Sequence, residues 1–149
     1  MIDPDVRPAD AADVEQLAWL EDEARSTLVD QRGGARWLAT HPERGSGWDV
    51  TIGELDVVVA HIGEVIVGYI VLDARSVVAT VDDVYVTPEA RELGFGDAML
   101  AASIERARER GATHLEGQAL PGDRETKNLY ERAAIKARLI TVSTPLAAR

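Results

Sequence analysis

The sequence predicts a single α/β domain: a mixed, mostly antiparallel central sheet with helices on both faces. Three observations predict it. Between Val57 and Thr87, three strand-like runs follow one another across short turns, as in an antiparallel meander. Asp97 to Arg110 is an amphipathic helix between the strand-like runs Val77–Thr87 and Thr113–Leu120, which predicts a right-handed unit with its two strands parallel. The 149 residues, 46% of them hydrophobic, make one core and one domain over 1–149.

The elements follow in order. Val6 opens a first strand before Pro8, and Asp10 is placed to cap a helix running to about Leu28. Val14, Leu17, Leu20, Ala24 and Leu28 form its buried stripe, at helical spacing. Gly33-Gly34 breaks the chain, Ala35 to Thr40 makes a short second helix, and His41 to Trp48 reads as a glycine-rich loop rimming a pocket. From Asp49 the texture is that of strands: Val57–His61, a turn at Gly63-Glu64, Val65–Leu72, then Val77–Thr87 stopped by Pro88. Gly94-Phe95-Gly96 precedes the long helix and Gly111 ends it. Arg124 to Ala134 is a short helix and Leu139 to Leu146 a closing strand, whose apolar Leu139–Val142 stretch could pair two copies as a homodimer. Trp19 is expected in the core, with Trp37 and Trp48 flanking the pocket loop.

Composition narrows function. No 18-residue apolar run is present and the acidic start Met1–Asp5 is unlike a signal peptide, so no membrane span is predicted and a cytoplasmic location is. Cysteine is absent, which removes disulfides, zinc-thiolate sites and a cysteine nucleophile. His41, His61 and His114 lack ligand spacing, so no metal is expected. The net charge of -10 argues against nucleic acid as a partner. That charge is uneven: residues 1–103 carry 7 Arg against 20 Asp and Glu, net -13, whereas residues 104–149 carry 9 Lys and Arg against 6 Asp and Glu, net +3. An acidic front and a basic rear predict two ligand surfaces, one able to receive an anion.

The informative segment is Val81-Asp82-Asp83-Val84-Tyr85-Val86-Thr87-Pro88-Glu89-Ala90-Arg91-Glu92-Leu93-Gly94-Phe95-Gly96-Asp97. Glycines between a strand end and a helix start let backbone amides approach an anion, and the helix terminus adds positive potential. A dinucleotide fingerprint fails because Met99 stands where a third small residue belongs, and no Gly-Lys-Ser/Thr exists for a P-loop. Ser103 and Ser143 have no Gly-x-Ser-x-Gly setting, so serine hydrolase chemistry has no support.

Arg91-x-x-Gly94-x-Gly96, with the Val-Tyr-Val strand end before it, resembles the pyrophosphate motif of the GCN5-related N-acetyltransferases (GNAT). Val67-Gly68-Tyr69-Ile70 and Asn128-Leu129-Tyr130-Glu131-Arg132 extend the resemblance over nearly the whole chain. Two departures stand out: Ala134-Ile135 replaces a usual Gly-Phe, which alters the expected turn there, and Glu92 follows Arg91 where a small or basic residue is common. The resemblance implies the acyl-CoA N-acyltransferase fold and acetyl-CoA as donor. Backbone from Arg91 through Glu92, Leu93, Gly94, Phe95 and Gly96 to Asp97 would take the pyrophosphate. The pantetheine arm would pair with Val84, Tyr85 and Val86, Asn128 would bond the cofactor near its thiol, and Lys127 and Arg132 would be outer phosphate contacts.

Chemistry sets the remaining roles. An amine attacks a thioester only when unprotonated, which calls for a base. The developing oxyanion needs donors, and the Val86 or Thr87 amide is placed for that. The departing thiolate needs a proton, and the resemblance gives that role to Tyr130. Asp82 and Asp83, alternating on a strand, point to opposite faces; Asp82 lies nearer the family's usual base position. Lacking cysteine, the chain would transfer acetyl directly in a ternary complex to a primary amine, and its acidic front points to a small cationic acceptor. A non-catalytic acyl-CoA sensor and a protein acetyltransferase remain as alternative readings.

Overall fold

A computed structural model describes residues 4–147. Five strands form one sheet in the order β1-β2-β3-β4-β5: β1 (Asp5–Pro8), β2 (Asp56–Ile62), β3 (Val65–Asp73), β4 (Val78–Val86) and β5 (His114–Gly117). β1 to β4 pair antiparallel, and β4 pairs parallel with β5, as the intervening helix requires. The helices are α1 (Val14–Leu28), α2 (Gly34–Thr40), α3 (Trp48–Glu54), α4 (Phe95–Glu109) and α5 (Arg124–Arg132).

Each face of the sheet has its own core. Leu17, Leu20 and Ala24 of α1 pack with Trp48 on Val57, Val59, Tyr69, Val71 and Tyr85. Phe95, Met99, Leu100 and Ala107 of α4 and Leu129 and Tyr130 of α5 cover Val58, Ala60, Ile70, Leu72 and Val81. The alternation of facing residues along each strand produces the two layers. The entry to α1 is pinned by a buried carboxylate. Asp13 accepts the Asp10 amide at 2.8 Å and binds Arg7 through two hydrogen bonds of 2.7 and 2.8 Å, while Asp10 caps the Ala12 amide at 2.9 Å. The bidentate ion pair thereby ties β1 to the first turn of the helix layer.

Four expectations need correction. Residues 48–54 are helical, not the start of the strand region: Trp48, fully buried, anchors α3 beneath the pocket loop, and that tertiary contact outweighs the β-branched run Val50-Thr51-Ile52. Trp19 is 79% exposed rather than core. Leu139 to Leu146 forms no strand; Leu139, Ile140 and Val142 are 81–89% exposed, and the outer edge of β5 is left unpaired by them. Ala134 keeps a left-handed backbone (φ 60°) and Ile135 still packs on the core, so the turn after α5 is retained despite the missing glycine.

Candidate active site

β4 and β5 separate. Their pairing ends at Val81 opposite Gly117, and residues 82–86 of β4 run on without a β5 partner. The Thr87 amide donates to Val67 O at 2.9 Å, which makes Thr87 and Tyr85 the residues whose main chain serves β3. By alternation, Val84 and Val86 turn their amides into the gap. The Thr87 amide is therefore spent and is not the oxyanion donor; of the two expected candidates Val86 remains.

Beyond the gap the chain turns through Arg91–Gly94 into α4. Glu92 (φ 65°) and Gly94 (φ 87°) both take left-handed backbone. The Arg91 amide bonds Pro88 O at 3.3 Å, and its side chain folds back, Nε to Val86 O at 3.1 Å with the guanidinium over Tyr85. Arg91 thus shapes the turn instead of offering its amide. The amides of Leu93, Gly94, Phe95, Gly96 and Asp97 have no hydrogen-bond partner among the described residues, an anion cradle at a 15-residue helix terminus. Phe95 contributes backbone only, since its ring is buried. A Cβ at Gly96 would meet Leu129 at 3.4 Å, so α5 lies against the cradle. Asn128 and Lys127 are exposed on α5, whereas Arg132 pairs with Asp97 at 2.9 Å and is committed there.

The carboxylates lie on the α1 face, and they do not point apart. β3 and β4 slip register between Val71 and Leu72, leaving Asp82 as the extra residue of a bulge. The bulge breaks the alternation, and Arg44 grips both, Nη2 to Asp82 at 3.2 Å and Nη1 to Asp83 at 3.1 Å. The same guanidinium binds Glu21 at 3.0 Å and stacks over Trp48. Glu21 also accepts the Arg44 and Gly45 amides, and the Tyr69 hydroxyl donates to Asp83 at 3.1 Å. Burial pushes the Asp83 carboxyl above its ordinary value while Arg44 opposes the rise. Asp82 is more open, its side chain 39% exposed against 14% for Asp83. Nearby, Glu23 accepts from Tyr85 Oη at 2.7 Å and Thr87 Oγ1 at 2.8 Å.

Tyr130 approaches the gap from the opposite face. Its hydroxyl is buried without a hydrogen-bond partner among the described residues, and burial first, then Asp123 and Asp83, push its pKa up to about 12. Sequence reading missed Arg44, Glu21, Tyr69 and Glu23. Glu21 carried a signal, a charged residue four positions after Leu17 on the apolar stripe of α1; Arg44 carried none, because only the folded loop brings it to β4.

A parallel pair that splits, with a row of free helix-terminal amides beyond the split, is the architecture of the acyl-CoA N-acyltransferase fold. Residues 13–134 match the acetyltransferase (GNAT) family, and the chain belongs to that family. Solved structures agree on the fold. The BH1408 protein from Bacillus halodurans aligns at TM-score 0.79 and 20% identity over 99% of this chain and 100% of that one. A ribosomal-protein-alanine N-acetyltransferase from Brucella melitensis gives 0.73 and 18% over 97% and 100%. The aminoglycoside N-acetyltransferase AAC(6')-Iy in complex with CoA gives 0.72 and 13% over 98% and 96%. No curated protein matches the chain in sequence.

Proposed function

We propose that this protein transfers an acetyl group from acetyl-CoA to a small cationic primary amine by direct attack. One observation carries the reading: the unpaired stretch of β4 after Val81 leads directly into the free amides of Leu93–Asp97. An extended amide-bearing arm can add to that edge as a strand does, with its diphosphate on the cradle. The acceptor side supports a cation. Glu21, Asp82 and Asp83 converge on one guanidinium, which leaves negative charge in excess for an ammonium group.

In this scheme the acceptor nitrogen attacks as the free amine, its ammonium proton having left to solvent, and Asp83 takes the second proton, which the nitrogen loses as it bonds the thioester carbon. The Val86 amide, turned into the gap, donates to the oxygen that gains charge. As the carbon–sulfur bond breaks, Tyr130 Oη gives its proton to the sulfur, and the products are the N-acetylated amine and CoA. Asp83 is preferred to Asp82 as base because its burial raises its proton affinity toward the working range. CoA complexes of the aminoglycoside enzyme, a fold relative, support the donor.

The test is calorimetric titration with acetyl-CoA on wild type and on the Gly94→Trp, Gly96→Trp double variant, followed by thiol release with small amines and with peptides. Binding in the wild type, lost in a folded variant, with turnover of small amines is the expected result. Absence of wild-type binding overturns the donor; turnover restricted to peptides overturns the small acceptor and favours a protein acetyltransferase; binding without turnover favours a sensor.

A further inference from the structure

The hydroxyl of Tyr130 is held at the point where the sheet splits by an absence of atoms in β5. A Cβ built on Gly117 would stand 2.2 Å from Tyr130 Oη, 2.5 Å from Cζ and 3.0 Å from Cε1. No real Cβ sits so close to a ring that cannot bend, and Tyr130 has little room to turn, being buried in the α4–α5 core. Backbone freedom is not the reason for this glycine, because Gly117 lies in a regular strand without the left-handed φ of Gly94. Its position is specific: Gly117 is the last residue of β5 to pair with β4, opposite Val81 and one residue before the Asp82 bulge. The Oη that fills the notch has no hydrogen-bond partner among the described residues despite its burial, and a buried polar group left so is destabilising unless something completes it.

We infer that Gly117 is a positioning residue for the transfer reaction: the notch left by its missing side chain seats the Tyr130 hydroxyl at the split, where its unpaired donor meets the sulfur of the bound thioester. The inference rests on the acetyl-transfer reading for its chemistry and on the strand geometry for its location. A side chain at 117 takes the space now filled by the tip of the phenol, so the hydroxyl is displaced from the notch, whereas the amides of Leu93–Asp97 belong to a different segment of the chain.

The experiment compares wild type, Gly117→Ala, Tyr130→Phe and the double variant in kcat, in acceptor KM, in acetyl-CoA affinity and in tyrosine ionisation followed by ultraviolet absorbance. Expected for Gly117→Ala is a fall in kcat of about 10–100-fold with acetyl-CoA affinity within about threefold, below the roughly 10²–10⁴-fold that a positioned proton donor supplies, because the phenol is displaced and not removed. In the Tyr130→Phe background the same alanine has no further effect on kcat, since both changes remove one function. A merely structural glycine would instead lower the rate by the same factor in either background. The absorbance reading is independent of activity. Burial raises all three tyrosines of the wild type above the ordinary value of 10, so a Tyr130 hydroxyl displaced from its notch in Gly117→Ala ionises closer to that value, a change that the double variant does not show. If Gly117→Ala leaves both kcat and tyrosine ionisation unchanged, the positioning role is overturned. If Tyr130→Phe is fully active, the acid role in the reaction fails, and the ionisation shift alone decides whether Gly117 seats the ring.

Discussion

Asp83 faces two opposed forces, and their balance fixes a pH dependence. Desolvation raises its pKa above the ordinary carboxylate value of about 3.9, and the Arg44 charge pulls it back. A base works only when ionised, so the acidic limb of kcat/KM lies above the ordinary range. Arg44→Gln removes the opposing charge and moves that limb to still higher pH, whereas Asp83→Asn lowers kcat/KM by about 10²–10⁴ and abolishes the limb, since the group that titrates there is gone. Asp82→Asn has the smaller effect, because Asp82 is the more solvated of the pair. A pH–rate series on the three variants checks the assignment; an Arg44→Gln limb at the wild-type position would mean that another group is the base. The sequence showed two adjacent aspartates and nothing of this division. Alternation puts them on opposite faces, and only the bulge, a tertiary feature with no sequence mark here, turns both toward Arg44.

At the scale of elements, legibility followed locality. The strands β2, β3 and β4 were readable because valine-rich runs between short turns determine their own pairing, and α4 because its glycine start, apolar face and glycine stop are all local signals. Helix α3 was not readable: its residues favour strand, and Trp48 packing under Arg44 and against Tyr69 decides the outcome. The glycine-bearing turn into α4 was readable as Arg91–Asp97, yet the separation between its free amides and the spent Arg91 amide was not, since Arg91 donates backward to Pro88. The turn after α5 shows a conformation outlasting the residue that suits it. Ala134 holds φ at 60°, with its amide on Glu131 O at 3.0 Å and the Ile135 amide on Tyr130 O at 2.9 Å. Left-handed backbone costs an alanine about 1 kcal/mol that glycine does not incur, and glycine returns part of that through a more flexible unfolded chain. Ala134→Gly is therefore expected to leave stability unchanged or raise it by up to about 1 kcal/mol, read as the urea midpoint at constant m-value; a loss of more than about 1 kcal/mol would mean the methyl group carries packing.

The whole molecule divides its charge and its apolar surface unevenly, and both divisions bear on the C-terminal segment. Much of the basic rear is neutralised in place: Arg106 and Arg110 share Asp56, Arg132 holds Asp97 and Arg108 holds Glu105. The rear third therefore offers a ligand less positive charge than its composition implies. Past Ile135, which packs on the α4 face, Leu139, Ile140, Val142 and Leu146 are 81–93% exposed. A segment that buries nothing contributes little to the folded state, whatever its strand-like composition. Among the described residues, ending the chain after Ile135 removes exposed groups alone, for which changes within about 0.5 kcal/mol are usual, and at this size 1 kcal/mol corresponds to roughly 2–4 °C. The truncated protein is thus expected to melt within about 2 °C of the full chain, with unchanged acetyl-CoA affinity, because among the described residues no hydrogen bond joins the removed segment to β4 or to Leu93–Asp97. Scanning calorimetry at two protein concentrations checks this. A drop larger than about 4 °C at both concentrations would place the segment against its own β5 edge, and a drop that grows with concentration would place it on a second copy.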